Sequence, residues 1–112
     1  MTNFAYPSEK FSVARSTLML PHPRGEAASI NDAFHSCSLG LTDLDKNTLD
    51  DDARRWVMDL EDLMNTDGLE DPDGKKGLWM VKAETLTDEQ KSQLSLIIDS
   101  LAFWFKSQMR GG

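Results

Sequence analysis

The sequence predicts an all-α fold, a small antiparallel helical bundle of about four helices with a Gly/Asp-rich loop before the last, and three observations carry that expectation. Apolar residues recur at helical spacing in the segments 27–37, 49–64 and 94–105. Prolines and glycines gather at the joints between the periodic stretches. The one stretch short enough for a strand, Leu78 to Val81, finds no second strand in the chain to pair with.

Residues 1–7 show no periodicity. Pro7 followed by Ser8 reads as a helix start, Ser8 accepting from the first free N–H groups, and a first helix over about 9–19 follows. Its apolar stripe of Phe11, Ala14 and Leu18 is thin, and Pro21 and Pro23 end it. A second helix runs from near Arg24 or Gly25 to Leu39, with Ala27, Ile30, Phe34 and Cys37 in step and Gly40 as its terminator. Residues 41–47 form a connector with room for one helical turn.

Thr48 with Asp51 three positions later resembles a capping box and opens the third helix. Leu49, Ala53, Trp56, Val57, Leu60, Leu63 and Met64 fall on one side of it, and Met58 alone interrupts the polar side. The polar stretch from Asn65 to Gly77 is a loop, and residues 78–83 read as a helical turn or a buried extended segment. Thr87 with Gln90 opens the last helix, which runs to about Met109 with Leu94, Ile97, Ile98, Leu101, Ala102 and Phe105 on its main face. The whole of 1–112 is expected to be one helical domain with flexible ends at 1–7 and 110–112.

A chain of 112 residues is long enough for one modest core, and three Trp and five Phe provide the bulk to fill it. Cys37 is the only cysteine, so no internal disulfide forms and no multi-cysteine metal site is available; the cytoplasm is the expected location. Apolar runs are too short for a bilayer span, so no membrane role is expected. The formal net charge of −7 is unevenly placed: residues 43–73 carry twelve acids against three bases, while the remainder is slightly basic. Such a segment repels phosphate backbones, and direct nucleic-acid binding is not expected.

The acidic loop 65–74 has carboxylates at alternate positions before a glycine, as in half of an EF-hand. Setting Gly68 or Gly74 at the invariant glycine position puts leucine first in the loop, and glycine or methionine at the last ligand position, so the register fails. His22 and His35 are the only histidines, and His35 lies on the wetted side of its helix with Asn31 and Ser38. Neither a metal nor any other cofactor is expected. The segment around His22 and Arg24 precedes a helix N-terminus, where free N–H groups and an arginine attract an anion, making His22, Arg24 and His35 the candidate ligand site. Ser36 and Ser38 splay around the helix from His35, and Cys37 faces the core, so no activated nucleophile emerges and enzymatic activity is unsupported.

The terminal Arg110-Gly111-Gly112 resembles the tail of ubiquitin-like modifiers, over three residues only; those modifiers carry it after a β-grasp fold, whereas helix precedes it here.

The most informative pattern lies on the last helix. Leu96 and Phe103 are seven residues apart and share a line opposite its main apolar face. Either they are covered inside the chain, Phe103 by the segment around Trp79, or they meet another chain. The functional expectation is a protein-interaction or regulatory module that binds a protein partner, or itself as a homodimer, through Leu96 and Phe103. The alternatives are a small enzyme or ligand-binding domain using the His22 to His35 region, and an acidic protein that blocks a nucleic-acid-binding site.

Overall fold

The computed structural model describes residues 4–109; the terminal Arg-Gly-Gly and residues 1–3 lie outside the described residues. Its elements are five α-helices, α1 (Ala5–Met19), α2 (Glu26–Leu41), α3 (Asp51–Met64), α4 (Leu78–Thr85) and α5 (Asp88–Met109), with a 3-10 turn at Lys46–Thr48, and among the described residues there is no strand. The helices number five because residues 78–85 form a helix of two turns rather than a single turn or an extended segment. Within it Trp79 lies half-buried against the core and donates its indole N–H to the Met64 carbonyl at 3.2 Å, which fixes α4 to the end of α3. Helix α5 packs against α1 and α3, and α2 packs against α1 and α4.

Helix α1 starts at Ala5, earlier than Pro7-Ser8 suggests. Pro7 falls in the first turn, where a missing N–H costs nothing, and the Ser8 N–H bonds to the Phe4 carbonyl at 2.9 Å. Phe4 sets the start: it is buried with ring centroids 5.4 Å from both Trp104 and Phe105. The start of α1 is therefore held by contacts of Phe4 at least a hundred positions away.

Helix α2 continues through Gly40, which is not its terminator. A Cβ at Gly40 would stand 3.0 Å from Phe11 Cε2 and 3.2 Å from Lys10 Cβ, so glycine lets α1 and α2 approach closely. The chain instead leaves the helix at Thr42, and Asp43 takes the left-handed conformation with φ of 59°.

The N-cap of α3 is Asp50, whose Oδ1 accepts from the Ala53 N–H at 2.8 Å. Thr48, the expected cap, donates its hydroxyl to the Asp45 carbonyl at 2.6 Å and closes the 3-10 turn. Helix α5 does open with the Thr87–Gln90 box: the Thr87 N–H donates to Gln90 Oε1 at 2.9 Å and the Gln90 N–H to Thr87 Oγ1 at 3.1 Å.

One continuous core holds residues from all five helices, with Phe11, Phe34, Leu60, Leu101 and Phe105 fully buried at its centre. Phe11 and Phe105 stack at 5.4 Å, joining α1 to α5.

Candidate interaction surface on the last helix

Helix α5 lies between α1 and α3, so its inner face is covered on both flanks and its outer face is left to solvent. Leu94, Ile97, Ile98, Leu101, Ala102 and Phe105 are buried. On the opposite side Phe103 is 73% exposed and Leu96 68% exposed. The segment around Trp79 does not cover Phe103, since Trp79 is turned to Met64 and to His35.

The flanks of this ridge come from residues far apart in sequence. Arg15 of α1 pairs through Nε with the Asp99 carboxylate of α5, clamping the two helices at the middle of the ridge. On one side of the clamp lies a groove of about 440 Å³ lined by Leu18, Met19, Ser95, Leu96 and Ile98. On the other lies one of about 580 Å³ that includes Ser12, Trp56, Phe103, Trp104 and Lys106. Both are open furrows whose walls combine apolar bodies with hydroxyls and one neutralised ion pair, a surface suited to side chains of a protein partner.

Trp104 is anchored at the edge of the ridge by donating its indole N–H to Asp50 Oδ2 at 2.9 Å. The same carboxylate caps α3, so Asp50 ties the start of α3 to the end of α5. The Ala53 N–H, and then the Trp104 N–H, hold the Asp50 carboxyl below its ordinary range. At the other end of α5, Lys91 reaches Glu26 of α2 at 2.7 Å. That hydrogen bond and charge lower the Glu26 carboxyl and raise Lys91.

The residues singled out around His22 are not brought together. His22 Nδ1 lies 2.8 Å from the hydroxyl of buried Ser29 and fastens the proline turn to α2. Arg24 pairs with Asp32 on the same helix. His35 sits edge-on to Trp79 at 4.7 Å, in a cleft of about 370 Å³ with Asn31, Thr66 and Lys76, whose lining includes neither His22 nor Arg24. Cys37 is buried, and desolvation pushes its thiol up to about 12, far from a reactive thiolate. Among the described residues no three His, Cys, Asp or Glu side chains converge on a metal-sized site, and no helix is long and apolar enough to cross a membrane.

Many acids of the segment 43–73 serve local structure. Asp45 and Asp50 accept from backbone N–H groups at the starts of their helices, Asp71 and Asp73 accept from Gly77 and Lys75, and Glu61 pairs with Lys46.

Sequence spacing marks Leu96 and Phe103, but Arg15, Trp56 and Met19 carry no such signal, because only the packing of α1 and α3 on α5 places them there. Comparison with family models, curated proteins and solved structures finds no match to this chain.

Proposed function

We propose that this chain is a protein-interaction module that docks a protein partner through the outer ridge of α5, with Leu96 and Phe103 as its apolar anchors. The observation that carries the reading is the exposure of Phe103 at 73% on a helix already supplied with a complete inner face. An aromatic ring of that exposure beside one furrow, with Leu96 beside a second across the Arg15–Asp99 clamp, gives an anchor-and-groove pattern typical of interface hot spots. Protein is the partner class rather than nucleic acid, because the acids of residues 43–73 repel phosphate. The lone buried Cys37 agrees with a reducing, cytoplasmic setting.

The test is Phe103→Glu. Capture of a partner, or self-association, should be lost while the helical circular dichroism spectrum and melting temperature stay close to those of the parent chain. A variant that keeps both its fold and all its partners removes the reading.

A further inference from the structure

The exposed residues of α5 form a longer pattern than Leu96 and Phe103 alone. Glu89, Ser92, Leu96, Asp99, Phe103 and Lys106 are all exposed and follow one another at alternating spacings of three and four residues. This is the a/d spacing of a coiled-coil seam, roughly 25 Å long at 1.5 Å per residue. The seam is charged at its two ends with opposite sign, and between them the apolar Leu96 and Phe103 alternate with Ser92 and the Arg15-paired Asp99. Beside it stand Ser95, Ser100 and Ser107, small enough to let a second helix approach closely.

We infer that the occupant of this ridge is the α5 helix of a second copy of the chain, lying antiparallel. The inference rests on the docking reading above and adds the partner's identity and register. In an antiparallel pair the two classes of seam position face each other. One register then sets Glu89 opposite Lys106 of the second copy, Ser92 opposite Phe103, and Leu96 opposite Asp99, each twice by symmetry. Every layer is compatible: opposite charges close both ends, the largest side chain meets the smallest, and the Asp99 carboxylate beside leucine is neutralised by its own Arg15. The 440 Å³ groove bordered by Met19, Ser95, Leu96 and Ile98 lies at the level where the second copy's Leu96 and Asp99 arrive.

Charge excludes the competing arrangements. A parallel pair sets Glu89, Asp99 and Lys106 each against its own kind. A shift of one heptad in one direction places Glu89 against Asp99, and in the other places Leu96 against Lys106 and leaves Glu89 unmatched. The two end charges are also free to engage, since neither Glu89 nor Lys106 has an ion-pair partner among the described residues, whereas Lys91 is held by Glu26. The helix that bears the seam and the helix that clamps it carry no net charge between them: α1 has Glu9, Lys10 and Arg15, and α5 has Asp88, Glu89, Asp99, Lys91 and Lys106.

The experiment is a charge swap in the full chain, read by sedimentation equilibrium over a range of concentrations, with circular dichroism as the check on folding. The parent chain is expected to dimerise. Lys106→Glu and Glu89→Lys should each raise the dimer dissociation constant about five- to tenfold, because each loses two ion pairs and gains two like-charge contacts. The double variant Glu89→Lys/Lys106→Glu should return to within about twofold of the parent, a rescue that only facing positions give. A parent chain that stays monomeric overturns the second-copy pairing alone, and Phe103→Glu on capture of a different protein still decides the docking reading. A dimer indifferent to the single swaps, or not rescued by the double, overturns the antiparallel register.

Discussion

Helices α3 and α5 each bury one apolar face against the core, and they use their outer faces in opposite ways. Outside its buried stripe, α3 presents Asp51, Asp52, Arg55, Asp59, Glu61 and Asp62, with Met58 as a single apolar exception. Helix α5 repeats the same buried logic within, yet outside it carries two large apolar side chains in line between opposite charges. A helix needs only one apolar face to join a core. The surplus on α5 therefore has no part in the fold, whereas the outer face of α3 behaves as an ordinary solvated surface.

The sharpest break of this comparison is within α5 itself. Phe105 is fully buried between Phe4, Phe11 and Trp104, so Phe105→Ala should cost about 3–5 kcal/mol through lost burial and the cavity left behind. Phe103→Ala, two residues away, should cost less than about 0.5 kcal/mol. Denaturant melts of the two variants check the contrast, and equal losses would erase the distinction between the faces of α5.

The joint between the two helices gives an effect of intermediate size. Asp50 caps α3 and accepts from Trp104, so Asp50→Ala should cost about 1 kcal/mol, the ordinary value of an N-cap. Its carboxyl is held below the ordinary range in the fold, so folding favours the ionised form. The sign follows: this share of stability is present above the unfolded carboxyl value near about pH 4 and is lost as pH falls through the lowered native value. Thermal melts from neutral to acid pH should show a smaller acid-side decline in Asp50→Asn than in the parent chain. Parallel pH profiles would contradict the assignment.

These positions also show how far the sequence could be read. The Thr87–Gln90 box was legible because both partners sit within one turn, and the inner face of α5 because a period of 3.6 is a local property. Phe4 was misread as part of an aperiodic tail since its order comes from Trp104 and Phe105. Gly40 was misread as a stop, because a glycine that ends a helix and one that admits a neighbouring ring look alike until Phe11 is placed beside it. Thr48 and Asp50 compete for one cap, and the 3-10 turn that occupies Thr48 decides between them. On the candidate surface, Leu96 and Phe103 stood out by their spacing; Arg15 reaches Asp99 across 84 positions of sequence, a pairing no periodicity announces.

The smallest expected effect is the one that separates a docking surface from mere exposure. Met58 on α3 is 55% exposed, an apolar side chain on a helix surface much as Leu96 is on α5. Its neighbours, however, are the carboxylates and arginine of α3's outer face, with no second apolar residue one heptad away to extend a seam. Met58→Glu should therefore leave stability within about 0.5 kcal/mol of the parent and leave association untouched, while Leu96→Glu, equally mild on stability, should weaken association. Running the two variants side by side in sedimentation and thermal melts isolates the contribution of the seam from that of exposed apolar area in general. If Met58→Glu weakened association as much as Leu96→Glu, the contrast between α3 and α5 would collapse, and association would have to be ascribed to nonspecific burial of surface hydrophobes.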